Sequence, residues 1–334
     1  MNSRRRPSLA GCRSRTPKGA IVEYRKLGNS GLKVSAVGLG CNNFGMRCDA
    51  EQTRAVVHQA LDDGITLFDT ADIYGNRGGS EELLGKALGD RRGEVVVATK
   101  FGMAMGDGPY LRGGSYRYII AAAEASLKRL GTDYIDLYQI HAPDAETPQQ
   151  ETLEALNDLV RAGKVRYIGC SNFAAWQTVD ALWISRSRGL VSYICAQNQY
   201  NLLDRRIERE LVPACRQFGV GILPYFPLAS GFLTGKYRRG AEPPKGTRLS
   251  LVQRMAQQAL TDENFATLER LEKFASSRDH TILELAVGWL GSQPEVSSVI
   301  SGATSPEQVT QNVKAGNWKL SAEELAEVDK LTRR

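Results

Sequence analysis

Four residues of this 334-residue chain carry side chains that can hold or move a proton beside a carbonyl group, and each stands at or just after the end of an apolar run. Asp69 closes TLFD, Tyr74 follows five places later just before Gly75, Lys100 ends VVVATK and His141 ends IDLYQIH. Free tyrosine titrates near pH 10, too high to exchange its proton readily at neutrality. A lysine cation beside it favours phenolate and lowers that value, while an aspartate keeps the lysine charged and oriented. The histidine can hydrogen-bond the same carbonyl oxygen. A positioned general acid contributes roughly 10² to 10⁴ in rate. No nucleophile–base pair and no metal-ligand spacing accompanies the four, which disfavours hydrolysis and leaves the reducing electrons to a cofactor. Each residue alone has a blander reading, as a turn cap, a loop aromatic, a solvated charge or a turn-carbonyl partner. Only their convergence is informative. A cofactor-free hydrolase or lyase using Asp69 and His141 is the competing chemistry.

What could bring them together is the order of elements. YRKLGNSGLKVSA (24–36) reads as a hairpin turning at Asn29-Ser30-Gly31. Eight short apolar runs follow, at 37–43, 66–71, 95–100, 135–141, 165–172, 194–200, 221–226 and 296–302. They lack strict alternation, as strands buried on both faces do. Amphipathic helical patterns separate them, at 51–63, 80–89, 116–130, 150–162, 173–188, 205–218, 262–277 with 281–291, and 306–315. Eight strand–helix pairs predict an α/β protein of the (β/α)8 barrel type, with the hairpin before it and extra helices at the C-terminus. A doubly wound sheet is the weaker alternative, because no G-x-G-x-x-G follows any strand. In a barrel the carboxyl ends of the strands share one rim, and all four residues fall there. KYRRGAEPPKGTRLS (236–250) reads as a mobile loop after the seventh barrel strand.

Composition narrows the function classes. The net charge is +6, but residues 1–20 carry six basic residues and no acid, so the remainder balances to zero. A nucleic-acid-binding stripe is therefore not expected in the body of the chain. Residues 1–21 read as a basic, disordered leader, and Val22 is a candidate alternative start; residues 22–334 read as one domain. The six cysteines are scattered without a C-x-x-C pair, which fits free thiols in a reducing, cytoplasmic setting. No apolar run reaches membrane-span length. Oligomeric state leaves no signature.

The segments GLKVSAVGLG, FDTADIYGNRGGSEELLGKAL, ATKFG, IDLYQIHAPD, GKVRYIGCSNF, QNQYNLLDR and PYFPLASGFLTGKY together resemble the aldo-keto reductases, and within them the branch of bacterial reductases similar to potassium-channel β subunits. The resemblance runs from about residue 23 to the end. It implies NADPH-dependent reduction of aldehydes or ketones, with Tyr74 as general acid, Lys100 its pKa-lowering partner, Asp69 paired with Lys100, and His141 orienting the carbonyl. It further implies Ser171, Asn172 and Gln197 on the nicotinamide carboxamide and Tyr225 stacked on the ring. The pyrophosphate falls to Phe226, Pro227, Leu228, Ala229, Gly231, Leu233 and Lys236, with Cys41 and Asn42 beside the cofactor. Gly302, Thr304, Gln308, Gln311 and Asn312 grip the adenosine end. Many relatives carry a lysine where this chain has Gly302 and an arginine where it has Gln308, both serving the 2′-phosphate of NADPH. Here Lys236 and Arg248 take that role, and NADH is the alternative cofactor. The implied partner is a small carbonyl substrate, with no nucleic acid and no membrane. A cofactor-bound regulatory subunit with little turnover is the alternative function.

Overall fold

The computed structural model describes residues 12–15 and 21–332. Strands β1 (Cys12–Arg15), β2 (Ile21–Lys26) and β3 (Lys33–Ser35) form a small antiparallel sheet. Tyr24 pairs with Ser35 across the expected hairpin. Cys12–Arg15 pair antiparallel with Ile21–Tyr24. The readings of residues 1–11 and 16–20 lie outside the described residues.

Eight parallel strands then follow: β4 (Val37–Gly40), β5 (Leu67–Asp69), β6 (Val96–Phe101), β7 (Ile135–Ile140), β8 (Val165–Ser171), β9 (Tyr193–Gln199), β10 (Gly221–Tyr225) and β11 (Val299–Gly302). Neighbours in sequence are neighbours in the sheet, and β11 returns to pair with β4. The seam between β10 and β11 is bridged where the Ile222 N–H donates to Glu295 O and the Ser297 N–H to Ile222 O, which all but closes the ring. Helices α1 (Ala50–Asp62), α2 (Tyr74–Leu88), α3 (Tyr116–Leu130), α4 (Gln149–Arg161), α5 (Ala175–Arg188) and α6 (Leu211–Phe218) lie outside the strands. The chain continues through α7 (Arg248–Leu251), α8 (Gln253–Ala259), α9 (Asp262–Ser276), α10 (Ile282–Gly291), α11 (Pro306–Ala315) and the C-terminal α12 (Ala322–Thr332). This is the (β/α)8 barrel that the strand–helix alternation predicts.

Burial divides into two layers. Leu67, Val96, Ala98, Leu137, Cys195, Leu223 and Ile300 fill the barrel, and Leu27 and Val34 of the hairpin join them. The larger cluster lies between strands and helices and includes Val97 of β6, Ile119 of α3, Leu156 of α4 and Ile168 of β8. The hairpin thus plugs the amino-terminal mouth of the barrel and leaves the carboxyl rim to the site. Among the described residues, no helix is long and apolar enough to cross a membrane.

Gly28 makes that plug possible. Its φ is +57°, and a Cβ there would stand 2.5 Å from Ile194 O and 2.7 Å from Gly219 O. Backbone on both sides leaves nothing to move aside. Gly28→Ala is therefore expected to destabilise the fold by about 2–4 kcal/mol, measured by urea unfolding, whereas Gly31→Ala in the same turn stays within about 1 kcal/mol.

Candidate active site

Asp69 ends β5 and Lys100 stands next to last in the adjacent β6, and their side chains meet under the rim. Lys100 Nζ donates to Asp69 Oδ2 at 2.7 Å and to Thr70 O at 2.9 Å, and the lysine side chain is fully buried. The other carboxylate oxygen of Asp69 accepts from Gln197 Nε2 at 2.8 Å and Gln139 Nε2 at 3.3 Å. Every polar group of the pair is thus engaged, which is the condition under which a buried ion pair is tolerated. Burial pushes the Lys100 ammonium down, but attraction to Asp69 and Tyr74 outweighs it and the net direction is up. Lys100 remains a cation.

Tyr74 lies directly above, with Lys100 Nζ 5.3 Å from its ring centre. Its position depends on the glycine after it. Gly75, Asn76, Arg77 and Gly78 all have positive φ (65°, 60°, 67° and 121°), so the chain reverses before the regular helix starts. A Cβ on Gly75 would meet Ser80 N at 2.4 Å and Phe44 O at 2.7 Å. The five-residue interval from Asp69 is the length needed to leave the strand and bring the ring back over the lysine.

The Tyr74 hydroxyl is 3.5 Å from His141 Nε2, with the two rings edge to face. Burial pushes the phenol up, Lys100 pulls it down and Asp69 adds to the rise, so the net direction is upward. The expectation that Lys100 lowers this group is corrected in its balance: the lysine acts in that sense, but desolvation wins. Tyr74 is held as a protonated phenol. Burial, and then Lys100, push the His141 imidazole down to about 3, so it is neutral at physiological pH. Its Nδ1 is buried without a hydrogen-bond partner.

Tyr74 and His141 open onto a cavity of about 660 Å3, within the usual size of a small-molecule site. Of the residues singled out in the sequence, Cys41, Asn42, Asp69, Ser171, Asn172, Gln197, Tyr225, Phe226, Pro227, Leu228, Gly231, Lys236 and Arg248 line it. Gly302, Thr304, Gln308, Gln311 and Asn312 line its far end. Lys100 lies beneath the wall rather than in it. Ala229 faces a neighbouring pocket beside Phe226, and Leu233 is fully buried, so neither belongs to the lining.

Several polar groups already have partners. Gln197 commits its amide nitrogen to Asp69, which leaves its amide oxygen as the acceptor it can offer to the cavity. Ser171 Oγ donates to Gln197 O at 2.9 Å, and Asn172 Oδ1 accepts from the Tyr225 hydroxyl at 2.7 Å. Thr304 and Gln308 bond each other. Non-glycine residues with positive φ gather at this wall: Asn172 (61°), Phe226 (52°) and Ser230 (60°). Such strain persists only where the surroundings enforce it, and it concentrates at ligand-binding walls.

The sequence reading missed Gly40, Asn43, Arg47, Thr234, Leu283 and Ile300, all of which line the cavity. Arg47 matters most. It stands with Lys236 and Arg248, and its charge pushes down both, after burial. The available signal was its place in the turn after the first barrel strand, at the rim. The 236–250 segment, expected to be mobile, is tied down there. Arg47 Nη2 donates to Gly246 O at 2.8 Å, and Arg248 Nη2 to Asn43 Oδ1 at 3.2 Å. Asp69 is the one carboxylate lining the cavity, and Lys100 neutralises it. The three cations therefore face an interior with no free acid. Among the described residues, no cluster of three His, Cys, Asp or Glu side chains could hold a metal ion.

The ion pair generates a stability test. Lys100→Met leaves Asp69 charged and buried, and is expected to cost about 3–5 kcal/mol in chemical unfolding. Adding Asp69→Asn removes the stranded charge and should recover most of that loss. A double variant as unstable as Lys100→Met would show that the coupling is absent.

Known proteins are similar to this chain over most of its length. The family model described as "Aldo/keto reductase family" matches residues 36–333. A probable voltage-gated potassium channel subunit beta of Oryza sativa subsp. japonica is 38% identical over 301 residues, covering 88% of this chain and 91% of the rice protein. The L-glyceraldehyde 3-phosphate reductase of Escherichia coli (strain K12) is 37% identical over 320 residues, covering 92% of each. The versiconal hemiacetal acetate reductase of Aspergillus parasiticus is 36% identical over 332 residues, covering 91% of this chain and 95% of the fungal one. With eight parallel strands carrying Asp69, Tyr74, Lys100 and His141 to one rim, the chain belongs to the aldo/keto reductase family of oxidoreductases.

Proposed function

We propose that the protein is an NADPH-dependent carbonyl reductase that converts aldehydes or ketones to alcohols. The observation that carries this reading is a protonated phenol, Tyr74, and a neutral imidazole, His141, converging at one end of a cavity whose other cations face no free carboxylate. When bound, the dinucleotide would supply the hydride. The donor set fits such a group: Arg47, Lys236 and Arg248 offer an anion site, and Gln311 and Asn312 offer amides at the far end. Tyr225 presents a ring beside Asn172 and Ser171 for a flat heterocycle. The chain lacks a basic residue at Gly302 and Gln308, so its preference for a 2′-phosphate rests on Arg47, Lys236 and Arg248.

In the chemical step, Tyr74 donates its proton to the carbonyl oxygen as negative charge develops there. His141, neutral and with Nε2 beside the phenol, donates a hydrogen bond to the same oxygen in the Nε2–H tautomer. Lys100 stabilises the phenolate left behind, and Asp69 keeps Lys100 in place. The buried pair thus acts after the proton has gone, when its charge is needed. The free thiols of Cys41, Cys48, Cys170, Cys195 and Cys215 fit a cytoplasmic setting.

A second reading, a cofactor-bound regulatory subunit with little turnover, draws on the 38% identity to the rice channel subunit. One assay separates the two. Oxidation of NADPH followed by absorbance with an aromatic aldehyde should show turnover that falls by about 10² or more in Tyr74→Phe. NADPH binding, followed by protein fluorescence, should change by less than about twofold. Equal, slow rates in both proteins would favour the regulatory reading. A clear preference for NADH would overturn the assignment of the three cations.

A further inference from the structure

Asp72 lies between Asp69 and Tyr74 in sequence, yet takes no part in the chemistry described above. It is 1% exposed, its backbone N–H donates to Lys100 O at 3.0 Å, and its Oδ1 has no hydrogen-bond partner. Its Oδ2 is 3.3 Å from the hydroxyl of Tyr118, in the first turn of α3. That same hydroxyl is 3.4 Å from the backbone oxygen of Met103, in the rim loop that follows β6. A phenol has one hydrogen to give, and here two acceptors face it.

We propose that Asp72, Tyr118 and Met103 form a proton-dependent tether between the catalytic segment and the 102–114 loop, with Asp72 and Tyr118 as positioning residues. When Asp72 is protonated, its O–H donates to the phenol oxygen, and the phenol hydrogen goes to Met103 O. When Asp72 loses that proton to solvent, the phenol turns to the carboxylate and Met103 O is left without a donor. The Gly102 N–H faces the phenol oxygen in either state, so the loop loosens rather than detaches.

The surroundings place the switch in a usable range. Glu81 of α2 repels the Asp72 charge, and Arg129 of α3 partly offsets it while bound to Glu81. Tyr118 of α3 and Tyr138 of β7 are the other titratable groups facing it. Burial and Glu81 push the Asp72 carboxyl up to about 7. An acid raised in the folded state holds its proton between its unfolded value, about 4, and that raised value, so the tether is complete below about 7 and lost above it. The tether itself does not depend on the reductase reading.

Amide hydrogen exchange of peptides spanning 102–114 tests the tether on the full chain, with neither cofactor nor substrate. After correction for intrinsic rates, protection in the unaltered protein should fall about fivefold or more between about pH 6 and about pH 8.5. Asp72→Asn, whose amide can donate to the phenol at any pH, should keep high protection at both. Tyr118→Phe should be poorly protected at both. Loop protection that does not vary with pH in the unaltered protein, or that titrates equally in Asp72→Asn, would overturn the proposal; these two measurements decide it even if Tyr118→Phe fails to fold.

Discussion

A lysine cation with no exposed surface, held by a single aspartate, constrains everything built above it. Lys100 and Asp69 are taken out of water at the ends of neighbouring strands, and such a pair is tolerated only with its remaining hydrogen-bonding capacity filled. Thr70 O, Gln139 and Gln197 fill it, and they come from the end of β5, from β7 and from β9. The pair therefore fixes the relative heights of four strands at the rim. Barrel closure and site geometry are consequently the same problem. A strand that slipped by one residue would turn its member of this set away from the barrel interior.

The opposite mouth allows the rim to be polar. Leu27 and Val34 seal the barrel where the strands begin, so the interior needs no apolar cover at the carboxyl end. A deep cavity can then stay open beside Tyr74. Its electrostatics divide by distance from the phenol. Nearby, charge is neutralised within the Asp69–Lys100 pair, and His141 is kept uncharged. Farther away, Arg47, Lys236 and Arg248 leave positive charge uncompensated. Proton donation is suited to the first region and recognition of an anion to the second.

The barrel was legible in the sequence because its signals are local and repeated. Runs such as VVVATK and IDLYQI are too short and too apolar for anything but strands buried on both faces, and each meets a helical pattern before the next. The four rim residues were legible for the same reason, as polar groups that end apolar runs. What escaped depends on distant contacts. Arg47 looks like a solvated turn residue until the 236–250 segment folds back to accept its hydrogen bond at Gly246. Gln197 reads as a ligand contact alone, and its second task, holding Asp69, shows only once the two strands are side by side. The sign of the Tyr74 shift could not be read from neighbours alone, because it is set by burial, which only the assembled rim determines. Leu233 and Ala229 sat within a motif whose backbone turns with positive φ at Ala229, Ser230 and Gly231, sending alternate side chains away from the cavity.

The central claim is that this rim holds Tyr74 as a protonated phenol even though a buried lysine cation lies beside its ring. Labelling tyrosine with carbon-13 at Cζ, and assigning Tyr74 by its absence in Tyr74→Phe, allows that phenol to be titrated by NMR. The account predicts that the Tyr74 signal stays at the phenol position past pH 10, above the ordinary tyrosine value. A midpoint clearly below 10 would contradict it, and would mean that Lys100 rather than burial governs the proton.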